Sequence, residues 1–300
     1  MAPFPLHRRR FLLAIATALA LATLPGPIAA GPVAAGDPAA ATPQVTAGAS
    51  APSAARPFRV NLARDGDYVR QANFVQCVGA SVQMMLNITR PGADHSRRTQ
   101  RRLQALARSQ SGPRPDGRER QGAGVFGWAT ALSRKGAGPY AVIGASSLQG
   151  AMRIAARAIV EQGRPVGLLV WQGRHAWVMS GFEATGDPRD GAFRVTRAHI
   201  LDPLHPFGSR QWGPSPTPGT AISVAEVGRQ FVARRRHSEW NALPGMAELA
   251  GKWVLVVPVD GPTPVNPVTA AGLAPRLASR PPAVRQAPPA RWIVGPLPPR

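Results

Sequence analysis

The chain has 300 residues, with 36 basic and 15 acidic side chains, a net charge of +21 and one cysteine. A single cysteine excludes an intrachain disulfide framework, and no Cys/His spacing of the zinc type, phosphate-binding glycine loop or internal repeat is present. The charge favours acidic polymers such as anionic lipid or wall polymers, but the arginines are spread out and not interleaved with aromatics, which argues against a specific nucleic-acid surface and for a genome that writes Arg where others write Lys.

Residues 1–30 read as an export signal. His7-Arg8-Arg9-Arg10 is a basic start, Phe11 to Leu24 an apolar run too short for a membrane span, and Ile28-Ala29-Ala30 an imperfect cleavage site. Arg8-Arg9-Arg10-Phe11-Leu12 also has the form of a twin-arginine signal, although general secretion signals carry arginines too. The expected location is therefore secreted or bound to the cell envelope. Residues 31–56 are Ala, Pro, Gly, Ser and Thr without apolar period, a disordered linker. Residues 261–300 are a second such stretch, rich in proline and arginine, interrupted by Trp292, Ile293 and Val294. The folded part is then 57–260, roughly 200 residues, enough for one domain with a sizeable core.

Within 57–260 helices come first and strands later. Phe58 to Leu62 alternates as a short strand. Val78, Val82, Met85 and Leu86 recur at helical spacing after Cys77, so the cysteine opens a helix ending near Asn87. Ser96 to Ser109 is a basic surface helix, capped by Ser96, with Leu103, Leu106 and Ala107 inward. Residues 112–124 form a loop, Val125 to Leu132 a helix, Tyr140 to Ile143 a strand, and Ser147 to Gln162 a helix. Val166 to Trp171 is a continuous apolar run suited to a central strand buried on both faces. Gly173-Arg174 links it to a strand from His175 to Phe182. Phe193 to Leu201 is the next, ending at Asp202-Pro203. Residues 204–221 form a loop, Ser223 to Val232 a helix, and Lys252 to Val259 a closing strand. The sum is α+β: a helical part carrying the cysteine, packed on a mainly antiparallel sheet.

That order places reactive types at element boundaries. A helix N-terminus favours a thiolate, because its free N–H groups and dipole stabilise negative charge. A lone cysteine in an exported chain is itself a flag for a reactive thiol, although free cysteines are often small buried hydrophobes. In an antiparallel pair the start of one strand lies beside the end of the next, so His175 and Asp202 can meet. A carboxylate there would fix the imidazole tautomer, as a general base needs. The plain alternatives are an edge histidine and a turn residue before Pro203. Gln71, on the approach to the helix, has an amide that can donate to an oxyanion beside the Cys77 N–H.

At these residues the chain resembles the papain-like cysteine peptidases of the bacteriocin-processing, double-glycine leader type and their exported stand-alone relatives. Gln71-x5-Cys77 followed by Val78-Gly79-Ala80-Ser81 is similar to that family's Gln-x5-Cys-Gly-x-Ala/Ser block. Gly173-Arg174-His175-Ala176-Trp177-Val178-Met179-Ser180-Gly181-Phe182 is similar to its histidine block, and Ile200-Leu201-Asp202-Pro203 to its strand-ending Asp-Pro. Val78 stands where the family often has Gly, and Arg174 precedes the histidine. The resemblance implies a papain-like fold, Cys77 as nucleophile, His175 as general base, Asp202 as orienting acid and Gln71 as oxyanion donor. It implies a peptide or protein substrate, a monomer, and no metal or organic cofactor. Acyl transfer on the same fold, or a wall-associated binding module without turnover, are the other readings. The leader substrate is not carried over, because this chain has no transporter fused to it.

Overall fold

The computed structural model describes residues 56–90 and 92–270. The export signal, all but the last residue of the linker, and 271–300 with Trp292 to Val294 lie outside the described residues. The mixed α+β class and the mainly antiparallel sheet expected from the sequence are both present. Strand β1 is Phe58–Asn61, followed by helices α1 (Cys77–Thr89), α2 (Arg97–Ser109) and α3 (Val125–Arg134). Then come β2 (Tyr140–Ala145), α4 (Leu148–Gln162), β3 (Val166–Val170), β4 (His175–Ala184) and β5 (Val195–Leu201). The chain continues through the two-residue strands β6 (Gly208–Ser209) and β7 (Gly213–Pro214), β8 (Ala221–Ser223), α5 (Val224–Gln230) and β9 (Trp253–Pro258).

The main sheet runs in the order β2-β9-β3-β4-β5-β8, and β1 also pairs with β4. Strand β4 is the axis of this sheet. Its first half pairs with β3, from Val166↔Met179 to Val170↔His175, and its second half with β1, from Asn61↔Gly181 to Phe58↔Ala184. Its other edge holds β5, with Val178 opposite Leu201. All these pairs are antiparallel. The last strand, β9, lies between β2 and β3.

Side-chain alternation along the strands divides the core in two. Trp177, Met179, Leu168 and Val170 pack with Met152, Ala155 and Ile159 of α4 and with Val224 and Val227 of α5. Ala176 and Val178 pack on the other side with Val82 and Met85 of α1, Leu103 of α2 and Trp128 of α3. The sheet therefore separates a layer of α1–α3 from a layer of α4 and α5. Trp128 lies flat on β3: a Cβ at Gly167 would come within 2.5 Å of the indole, so only glycine fits there.

The helix starts follow their caps. Ser96 accepts from the Thr99 amide and Ser147 from the Gly150 amide. Ser223 and Glu226 form a reciprocal capping box on α5.

Several element ends differ from the sequence reading by a residue or two, and three differences bear on the site or the extent of the domain. Strand β3 stops at Val170, and Trp171 instead begins a four-residue connection. The 204–221 loop contains the β6–β7 hairpin, with Gly208 opposite Pro214. Packing also continues past residue 260. Asn266 is buried, and its side-chain amide donates to the Gln110 carbonyl at 2.8 Å and to Thr130 Oγ1 at 3.0 Å. Among the described residues no helix is long and apolar enough to cross a membrane.

Candidate active site

Cys77 is the first residue of α1, is half-exposed, and follows Gln76 at the N-cap. The bend-and-turn approach to it is held by two glutamines of α2. Gln100 accepts from the Ala72 amide at 2.7 Å and donates to the Arg70 carbonyl at 3.0 Å. Gln104 accepts from the Gly79 amide at 2.8 Å and donates to the Val75 carbonyl at 3.0 Å. Each glutamine thus uses both ends of its amide on the cysteine loop. The two helices approach so closely at Gly79 that a Cβ there would sit 2.8 Å from Gln104 Cβ and 2.9 Å from the Gln100 carbonyl oxygen. Phe74 and Val75, just ahead of Cys77, stand in solvent.

His175 opens β4 and is almost fully buried. Its Nε2 lies 2.7 Å from Asp202 Oδ1. Nδ1 is then the nitrogen left for Cys77, whose side chain lies near enough to raise the pKa of the imidazole. Burial alone would lower the pKa of His175. The hydrogen bonds to Asp202 and Cys77, and the charges of both, outweigh burial and raise it to about 9. An imidazolium against the Asp202 carboxylate is the charge state these two shifts favour at neutral pH.

Asp202 follows the last residue of β5 and is fully buried. Its Oδ1 accepts from the Leu204 amide at 2.9 Å as well as from His175. Burial would raise its carboxyl, but the His175 hydrogen bond and charge, with smaller help from Ser215 and the Leu204 amide, hold it below its ordinary value. Oδ2 of Asp202 and Oγ of Ser215 are both buried without a partner in hydrogen-bond geometry, so Ser215 acts on the carboxylate only as a nearby dipole. Tyr68 closes this side. Its hydroxyl donates to the His205 carbonyl at 3.1 Å, and burial followed by the Asp202 charge pushes its pKa up to about 12, so it stays neutral.

Gln71 is buried, and its backbone amide donates to the Pro203 carbonyl at 2.8 Å. That bond ties the cysteine loop to the residue after Asp202. The Gln71 side-chain amide donates to the Asn73 carbonyl at 2.8 Å, within its own loop, while its Oε1 is buried without a partner. One of the two amide protons is therefore in use inside the loop, and the other is left for a ligand. The structure thus joins His175 to Asp202 by a hydrogen bond, sets Cys77 near enough to act on the imidazole, and places Gln71 in the loop that leads to Cys77. His199 stays apart, buried on β5, where desolvation lowers its pKa.

Sequence reasoning missed Trp171 and Gln230. Trp171 stacks on the His175 ring, with centroids 4.3 Å apart and planes at 25°. Its indole N–H donates to Gln230 Oε1 at 2.9 Å, and Gln230 in turn donates to the Pro214 carbonyl at 2.8 Å. Helix α5 and the β6–β7 hairpin thereby hold the indole over the imidazole. The backbone there is strained: Trp171 and Gln172 have φ of 56° and 57°, followed by Gly173 at 100°. Non-glycine residues rarely occupy this region, and such strain concentrates at functional sites. The available signal was a tryptophan separated by one residue from a Gly-x-His turn, which has no recognised turn chemistry.

No protein-family model matches this chain, and no curated protein matches it either. The likeness to papain-like peptidases rests on the chain's own residues.

Proposed function

We propose that this chain is an exported cysteine peptidase with a papain-like site. The observation that supports it most directly is the His175 imidazole, which holds Asp202 on Nε2 and whose pKa is raised by Asp202 and by the neighbouring Cys77. In the proposed reaction the Cys77 thiolate attacks a peptide carbonyl, forming a C–S bond and an oxyanion. The Cys77 N–H and the second amide proton of Gln71 stabilise that oxyanion. The His175 imidazolium gives its proton to the leaving nitrogen, the C–N bond breaks, and the amine departs. Neutral His175 then takes a proton from water, the hydroxide attacks the thioester, and the C–S bond breaks to release the acid and restore the ion pair. Asp202 orients the ring and stabilises its charge throughout. Export is supported by the sequence of residues 1–30, and a surface of this charge suits contact with anionic wall polymers or lipid.

The test is labelling of the purified protein by a peptidyl thiol-reactive electrophile, together with hydrolysis of a peptide mixture. Labelling is expected at Cys77 and lost in Cys77→Ala, and Cys77→Ser is expected to stop hydrolysis without changing the melting temperature. Full hydrolysis by Cys77→Ser would eliminate the mechanism.

A further inference from the structure

A cleft of about 960 Å³ adjoins the connection that leads into His175, although Cys77, His175 and Asp202 do not themselves line it. Gln172, Gly173 and Arg174, the end of the connection into His175, form part of its wall. Its lining is strongly cationic: Arg114, Arg118, Arg120, Arg174, Arg234 and Arg235 face it, with only Glu119 and Glu239 as carboxylates. Arg114 and Arg118 pair with Asp116, and Glu119 pairs outward with Arg108. Among the described residues Arg120, Arg174, Arg234 and Arg235 form no ion pair.

Two of these are the informative ones. Arg120 is 9% exposed and Arg234 is 6% exposed. Their hydrogen bonds go to neutral groups: Arg120 donates to the Gly112 carbonyl at 3.1 Å, and Arg234 to Asn241 Oδ1 and to the Met246 carbonyl at 3.0 Å. Arg120 also lies over the Trp240 ring, 4.7 Å from its centroid. A buried cation without a counter-charge is costly, and burial lowers both guanidinium pKa values. Helix α3 also begins at the cleft: Val125 lines it, and its N-cap Gly124 offers no side-chain cap. Its positive end adds to the same potential.

We propose that this cleft selects the substrate of the Cys77 centre by binding an acidic peptide segment, with Asp or Glu carboxylates within a few residues of the scissile bond. This rests on the peptidase reading of Cys77. Guanidinium forks match carboxylates with two parallel hydrogen bonds. The arginines come from three separate segments and share the cleft with Leu169, Trp240 and Met246. A peptide supplies both charge and apolar side chains to such a lining, whereas a phosphodiester polymer would leave the apolar part unmatched. The chain's own residues 271–300 carry arginines and no acid, so they do not complement it.

The test uses the full chain as Cys77→Ala, so that binding is read without turnover. A fluorescent Glu-rich peptide and its Gln counterpart are titrated by anisotropy at low and high salt, with poly(glycerol phosphate) as competitor. The Glu peptide is expected to bind at least roughly tenfold more tightly, the factor that one charge-assisted hydrogen bond supplies. That advantage should shrink with salt and vanish in Arg174→Gln/Arg235→Gln, both exposed positions; Arg235→Gln alone carries the comparison if the pair unfolds. Equal affinity for the two peptides overturns the proposal. So does tighter binding of the phosphate polymer, which would make the cleft a wall-polymer site. Thiol labelling of the native chain is read separately: its failure removes the peptidase but leaves a measured peptide preference standing, and equal affinities remove the subsite but leave labelling intact.

Discussion

His175 is buried, yet it carries its proton more firmly than a histidine in water, because burial is outweighed by Asp202 and Cys77 and its pKa rises to about 9. Under the proposed mechanism, turnover that needs this proton on the leaving nitrogen should therefore hold through neutral pH and fall as pH rises through about 9. Asp202→Asn removes the main raising influence, so the basic limb of kcat/KM should move toward the ordinary histidine value, with a lower maximum. An unmoved limb would mean that another group sets it. The same shift links pH to stability. A folded-state pKa raised above 6.5 gives stability that is complete below that value and is lost as pH climbs through about 9. Wild-type melting temperature should fall over that interval more than that of His175→Gln. At this scale Cys77, His175 and Asp202 were legible, because each sits where a local signal ends or starts an element. Trp171 was not. Nothing in its neighbours requires positive φ, and its hydrogen-bond partner Gln230 arrives far later in the chain.

The element that fixes the cysteine is α2, which touches neither His175 nor Asp202 through any hydrogen bond. Gln100 and Gln104 hold the 70–79 backbone at four points, and Gly79 lets α1 lie against them. Gly79→Val should force the helices apart and cost about 1–3 kcal/mol, as overpacking commonly does. Because the displaced helix starts with Cys77, the proposed nucleophile, the rate of Cys77 alkylation should drop more than stability does. A variant with normal labelling would show that α1 can shift without moving its first turn. Helix α2 was legible as a basic helix with Leu103 inward, but the roles of its glutamines were not. A half-polar helix face looks the same whether its amides meet water or another backbone. The β6–β7 hairpin was hidden for a different reason: its two-residue strands are Gly-Ser and Gly-Pro, which carry turn composition and no period.

Across the molecule, two apolar layers meet at one sheet, and the candidate site lies where the strands β4 and β5 pass the start of α1. The α+β class and the element order followed from periodicity, since helical spacing and continuous apolar runs reflect which faces are buried. The order of strands in the sheet did not follow, because periodicity says nothing about which strand lies next to which. The strand β9 has a temporal consequence. It is the last strand among the described residues and yet it fills the interior slot between β2 and β3, pairing Val142 with Val256 and Leu168 with Leu255. Until it arrives, both flanking strands have bare edges, which invite pairing with other chains. Chains ending at Gly251 should therefore bind a hydrophobic-surface dye, aggregate and fail to melt cooperatively, whereas chains ending at Ala270 should melt like the full protein. Cooperative melting of the shorter chain would show that the sheet closes without its last strand. If β9 is required, the proposed nucleophile is held back by the order of synthesis: a nascent chain has exposed Cys77 long before it can assemble the partners that the proposed catalysis needs.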